Sequence, residues 1–167
     1  MGEVKNQDLP PCMIYIDKEG HWYHKGLEMI RRDFVQLFYR NMELDSKGRY
    51  VIDWNGNRCY VDVEDTAYVV RGVVYEEAKG DQTGRFILYL SDYTYEELIP
   101  DTLVVGKENV LYCRVKGGAF PARFNRAAYY QLAEHVEERD NAYYLPLGGE
   151  RYRILTTHQR SPREEGP

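Results

Sequence analysis

Basic residues are in the minority in this chain. Its 167 residues carry 22 Lys and Arg against 27 Asp and Glu, a formal charge of −5. A protein that holds nucleic acid by neutralising phosphates needs the opposite balance, so no nucleic-acid partner is expected. Long apolar runs are missing as well. The best of them is interrupted by Arg71, which leaves nothing long enough to cross a bilayer as a helix, and no membrane partner is expected. Met1 to Pro11 holds no apolar core of the kind a secretory signal needs, and Gly2 lacks the Ser or Thr that a myristoylation site places where Asn6 stands. Cysteine is scarce: Cys12, Cys59 and Cys113 lie far apart and are odd in number. That is the pattern of reduced thiols, and it sets the expectation of a cytoplasmic chain. A chain of this length buries about 68–70% of its unfolded surface and needs neither disulfide nor metal to fold.

Catalytic signatures are absent too. No glycine-rich phosphate loop follows a strand, and neither G-x-S-x-G nor H-E-x-x-H occurs. His21-Trp22-Tyr23-His24 sits in a strand pattern, where residues three apart face opposite sides, so the two imidazoles cannot share an ion. No Cys or third His stands at ligand spacing, and neither a metal nor a cofactor is expected. Cys113 has no neighbouring His or helix start to lower its pKa and reads as an inert buried thiol.

Tyrosine is abundant instead, with 16 Tyr against 5 Phe and 2 Trp. Its packed ring and wet hydroxyl suit antiparallel sheets with one solvated face. Strand patterns occupy Cys12 to Asp17 and His21 to His24, joined by a turn at Lys18-Glu19-Gly20. Phe34, Val35, Leu37, Phe38 and Met42 form the apolar stripe of a helix beginning near Arg31. Two strand patterns then flank Asn55-Gly56, the strongest local hairpin signal. Ala67 to Tyr75 and Arg85 to Leu90 form a further hairpin across a charged loop. Thr94-Tyr95-Glu96-Glu97 has capping-box spacing and predicts one helical turn before Pro100.

The second half repeats that order. Asn109 to Val115 and Ala119-Phe120 flank Gly117-Gly118; Asn125 caps a helix bearing Tyr129, Tyr130, Leu132, Ala133 and Val136; a last hairpin turns at Gly148-Gly149. Phe34-Val35-Gln36-Leu37 matches Tyr129-Tyr130-Gln131-Leu132, which sets Gln36 against Gln131, and Tyr50-Val51-Ile52 matches Tyr143-Tyr144-Leu145. The fold class expected is therefore α+β, with duplicated hairpin–helix–hairpin units and antiparallel sheets. The expected layout is an N-terminal tail over 1–11, a first repeat with an extra hairpin over 12–92, a second repeat over 93–157, and a disordered tail over 158–167.

Arginines gather at the helix starts. Arg31 and Arg32 begin the first helix, while Arg123 and Arg126 bracket the N-cap of the second. Cations there oppose the helix dipole by about 0.3–1 kcal/mol each, whereas arginines beside free backbone N–H groups make an anion site. The alternative pairs them with Asp33, Glu64 or Asp65 as ordinary ion pairs. Glu64 and Asp65 are neighbours in a strand pattern and face opposite sides, which is the wrong geometry for a glycosidase-type carboxylate pair. Three readings of function follow. The first is a ligand-binding module using His24, Arg31, Glu64, Arg123 and Arg126. The second is a small enzyme pairing His24 with Glu64 or Asp65 as acid and base. The third is a protein-interaction module, recognised by an exposed apolar patch.

Ile16-Asp17, Gly20-His21-Trp22, His24, Gly26, Ile30-Arg31, Phe34 to Phe38, Asp45, Gly48-Arg49-Tyr50 and Val63-Glu64-Asp65 together resemble the bacterial domain of unknown function 1285 family. Arg114-Val115, Gly118, Ala122-Arg123-Phe124, Arg126, Tyr129-Tyr130, Leu132 and Glu134 are similar to that family's second half. The resemblance spans Ile14 to Ile154. It implies a duplicated core whose second half is loosely like a pleckstrin homology fold. It also implies a site for a nucleotide-like small molecule at the interface of the halves, and a role in signal transduction.

Overall fold

The computed structural model describes residues 9–81 and 83–157. The tail expected over 158–167 and all but the end of that expected over 1–11 lie outside the described residues. Contacts divide the chain into two compact units between Ala67 and Tyr68.

The first unit holds β1 (Pro11–Ile16), β2 (Trp22–His24), β3 (Leu27–Glu28), α1 (Arg32–Arg40), β4 (Met42–Leu44), β5 (Tyr50–Trp54) and β6 (Asn57–Val63). They form one six-stranded sheet in the order β3-β2-β1-β6-β5-β4. Asn55 and Gly56 both take positive φ, at 52° and 84°, as a tight turn between β5 and β6 requires. Alternation is plain on β1, where Ile14 and Ile16 are buried and Met13 and Tyr15 are exposed. A bulge between Pro11 and Tyr15 gives Met13 a φ of 62°, and its carbonyl accepts from the Lys25 N–H at 3.0 Å. The core under α1 is aromatic: Trp22 is 2% exposed, packs edge-on to Tyr39 at 4.7 Å and stacks on Phe38 at 6.3 Å.

The second unit begins with β7 (Tyr68–Glu76), β8 (Arg85–Leu90) and β9 (Tyr95–Glu97). It continues through β10 (Val104–Val105), β11 (Leu111–Val115), β12 (Phe120–Phe124), α2 (Arg126–Ala133), β13 (Glu137–Arg139), β14 (Ala142–Leu147) and β15 (Glu150–Thr156). The nine strands run in the order β13-β14-β15-β10-β11-β12-β7-β8-β9. Beyond Val70 the edge of β7 has no strand partner from β12. The chain turns there into α2, Asn125 N–H bonds the Val70 carbonyl at 2.9 Å, and the Gln131 side-chain oxygen accepts from Val73 N–H at 2.7 Å. Asn125 also caps α2, its side chain accepting from Ala128 N–H at 2.9 Å.

The α+β class holds, with three differences from the sequence reading. The sheets are mixed rather than antiparallel, because β1–β6, β12–β7 and β10–β15 pair in parallel. The hairpin expected to close the first repeat hydrogen-bonds instead to β12 and lies in the second unit. Thr94 to Glu97 extends as β9 instead of forming a helical turn: Thr94 N–H and its hydroxyl bond the Asp92 carboxylate at 3.0 and 2.6 Å, and Tyr95–Glu97 then fills the open edge of β8.

One covalent feature overturns the reduced-thiol expectation. Cys12 and Cys59 form a disulfide with a Cα separation of 5.0 Å. They are 47 residues apart in sequence but become neighbours because β1 lies along β6, with Pro11 opposite Tyr60. Cys113 stays a buried free thiol, and burial, reinforced by the Glu96 charge, pushes its pKa up. Among the described residues no helix is long and apolar enough to cross a membrane.

Candidate functional site

In the first unit the polar side chains converge on the turn between β1 and β2. Asp17 accepts from the backbone N–H groups of Glu19 and His21 at 2.9 Å each, and its other oxygen meets His21 Nδ1 and the Tyr23 hydroxyl at 3.3 Å. Partial burial opposes its ionisation, but those backbone donors and the His21 ring outweigh it and hold the carboxyl below the usual range. Glu64 follows β6 and accepts from Lys18 N–H at 2.7 Å. It also hydrogen-bonds Tyr15, whose pKa is raised by desolvation first and then by the Glu64 charge. Tyr15 and Tyr23 lie side by side on β1 and β2, ring centres 6.1 Å apart.

His24 closes β2 opposite Ile14 and is exposed. Among the described residues no hydrogen bond or ion pair joins its side chain to Glu64 or Asp65, so the acid/base pair considered for an enzyme is not assembled. No group of three or more His, Cys, Asp or Glu among the described residues is placed to hold a metal ion.

The two helix starts differ in how their arginines are used. Arg31 is the N-cap residue of α1 and makes no side-chain cap. Its guanidinium bonds Asp33 at 2.7 and 3.2 Å and lies 4.2 Å over the Phe34 ring. That hydrogen bond holds the Asp33 carboxyl below the usual range. Here the local ion-pair alternative describes the geometry. Arg126 is the first residue of α2 and exposed; its guanidinium lies 6.0 Å from the Tyr130 ring, and among the described residues no carboxylate pairs with it. Arg123 stands on β12 opposite Tyr112 and Val69, two residues before the cap. Arg123 and Arg126 therefore flank one helix N-terminus, whereas His24, Arg31 and Glu64 belong to the first unit.

Sequence reasoning missed a cavity of about 470 Å³ between α2 and its sheet. Leu111, Leu132 and Ile154 make its buried floor, with Val105, Ala133 and Val136 around them. Asn109, Tyr129, Glu138 and Tyr143 are exposed at its mouth. The signal was in the side-chain sizes: α2 buries Ala128 and Leu132 where α1 buries Val35 and Tyr39.

The fold is shared with two crystal structures of DUF1285 family proteins. The one from Silicibacter pomeroyi DSS-3 superposes with a TM-score of 0.71 over 95% of this chain and 89% of that one, at 17% identity. The one from Shewanella baltica OS155 gives 0.59 over 73% of this chain and 91% of that one, also at 17% identity. No family model and no curated protein matches the sequence.

Proposed function

We propose that this chain is a bacterial ligand-binding module without chemistry of its own, sensing a phosphate-bearing, nucleotide-like small molecule in signal transduction. The observation that carries the reading is Arg126. It stands at the N-terminus of α2, beside Arg123, with its guanidinium on an aromatic ring rather than a carboxylate. An arginine opposing the helix dipole gains nothing from its place until an anion joins it. His24, Arg31 and Glu64 are the corresponding polar groups of the first unit, with Arg31 available only to a ligand that displaces Asp33. A thermal-shift screen of the full chain against nucleotides and inorganic phosphates tests the proposal; a panel that leaves the melt unmoved removes it.

The reading includes an internal duplication, and the strand pairing supports it. The first unit runs three strands, a helix and three strands, and β10 to β12, α2 and β13 to β15 repeat that order in the second, with the first and last strands of each set pairing in parallel at Ile16–Val63 and Val105–Thr156. The same central residues pair outward with Trp22 and Leu111. Asp17 N–H bonds the His21 carbonyl, and Gly106 N–H bonds that of Val110. Tyr50 faces Val61 as Tyr143 faces Ile154. The buried helix pairs Val35/Tyr39 and Ala128/Leu132 follow the spacing that relates Tyr50 to Tyr143, which sets Tyr129 rather than Gln131 against Gln36. The loose likeness of the second half to a pleckstrin homology fold rests on a mainly antiparallel sheet packed by one helix. A cytoplasmic location belongs to the same proposal. Against it stands the Cys12–Cys59 bond, which reducing compartments open, and counting free thiols in freshly isolated protein decides between them.

A further inference from the structure

The Cys12–Cys59 bond lies at a seam in the sheet of the first unit. Antiparallel pairing joins β3, β2 and β1, and likewise β6, β5 and β4. The two sets meet where β1 runs parallel to β6. That seam is interrupted. Tyr15 pairs with Asp62 and Ile16 with Val63; then comes the bulge, and among the described residues one registered pair, Pro11 with Tyr60, stands on its N-terminal side. Pro11 has no N–H to give β6, while Tyr60 N–H donates to the Pro10 carbonyl at 3.0 Å. Cys12 stands inside the interruption, so the disulfide carries the seam across it.

The surroundings suit this bond to opening and closing. Cys12 and Cys59 are both half-buried, where an attacking thiolate can reach them. The core under α1 does not depend on the segment before the bulge: the buried side chains of β1 are Ile14 and Ile16, whereas Pro11 and Met13 are exposed. Pairing at Tyr15 and Ile16 keeps Cys12 close to Cys59 once the bond is open, so the same two sulfurs meet again. The third cysteine stays out of the exchange, because Cys113 is 1% exposed and burial keeps it a thiol.

We propose that Cys12–Cys59 is a reversible redox switch, opened by a dithiol reductant of the thioredoxin class, and that Pro10–Cys12 then leaves β6 and bares the strand backbone at Cys59 and Tyr60. A thiolate of the reductant attacks one sulfur and forms a mixed disulfide, and the other sulfur departs as a thiolate. The second thiol of the reductant displaces the mixed disulfide; two electrons and two protons pass to the chain, and the reductant becomes the disulfide. The switch needs neither Arg123 nor Arg126 and goes beyond the ligand reading. The full chain in native buffer with catalytic thioredoxin, thioredoxin reductase and NADPH tests it, read by thiol labelling and amide hydrogen exchange. One NADPH is consumed per chain, two thiols become reactive, and glutathione disulfide re-forms the bond. Exchange at Tyr60 N–H accelerates at least about tenfold more than at Glu64 N–H, which donates to the Ile16 carbonyl on the far side of the bulge. Cys12→Ser exchanges rapidly at Tyr60 whether or not reductant is present. A bond that opens only in denaturant, a third reactive thiol from Cys113, or equal acceleration at Tyr60 and Glu64 overturns the proposal. So does a Cys12→Ser protein whose Tyr60 exchanges as slowly as in the oxidised parent.

Discussion

Removing the Cys12–Cys59 bond by the double substitution Cys12→Ala/Cys59→Ala is the sharpest perturbation available in the first unit. The bond closes a loop of 47 residues. In the chain-entropy account, releasing a loop of that length restores about 4 kcal/mol of freedom to the unfolded state. At about 2–4 °C per kcal/mol for a chain of this size, the melt falls by about 8–16 °C. Both cysteines lie in the first unit, so β1, β6 and the core under α1 are where the loss originates. Calorimetry of parent and variant, with and without dithiothreitol, reads this directly. The parent in reductant moves down to the variant, while the variant does not respond. Thiol titration in denaturant without reductant finds one reactive group, the buried Cys113. Three reactive thiols, or a parent melt indifferent to reductant, refutes the reasoning and returns the chain to the reduced state its cysteine spacing suggested.

Trp22→Ala opens the aromatic core under α1 and costs about 3–5 kcal/mol; a urea-unfolding loss below about 1 kcal/mol contradicts the packing described. Gln131→Leu strips the acceptor from Val73 N–H on the uncovered edge of β7 and costs about 1–3 kcal/mol by the same measurement, whereas Gln131→Glu restores most of it. Asp17→Asn keeps the shape but not the charge. Because folding lowers the Asp17 pKa, its stabilising contribution is full above the unfolded value near 3.8 and disappears as the pH falls through the folded one. The parent is therefore more stable than Asp17→Asn at pH 7, the gap closes in acid, and a gap that widens as the pH falls contradicts it.

Local signals carried the local structure. Asn55-Gly56 located the β5–β6 hairpin and Asn125 the cap of α2, because turn geometry and capping depend on residues within a few positions of each other. The pairing of β1 with β6 and β10 with β15 was not legible, since parallel partners are set by what the whole sheet buries. The disulfide escaped for the same reason: nothing near Cys12 or Cys59 in sequence shows that they share a sheet. The capping-box spacing at Thr94 misled because Asp92 and the open edge of β8 competed for the same backbone groups. Of the site, the arginines at the helix starts were visible, but the Arg31–Asp33 pair and the freedom of Arg126 from carboxylates needed coordinates. The cavity is an absence of side-chain volume, and it shows only once the two helices can be compared face by face.

Whether Arg126 holds a phosphate-bearing ligand is decided by one comparison of melts. A phosphate compound at about 100 times its dissociation constant stabilises the folded chain by about 2.7 kcal/mol, which raises the parent melt by about 5–11 °C. Arg126→Ala leaves the unliganded melt within about 2 °C of the parent, because an exposed arginine at a helix start adds little stability, and it abolishes most of the ligand shift. A parent that does not respond to any phosphate, or an Arg126→Ala protein that is strongly destabilised without ligand, contradicts the account.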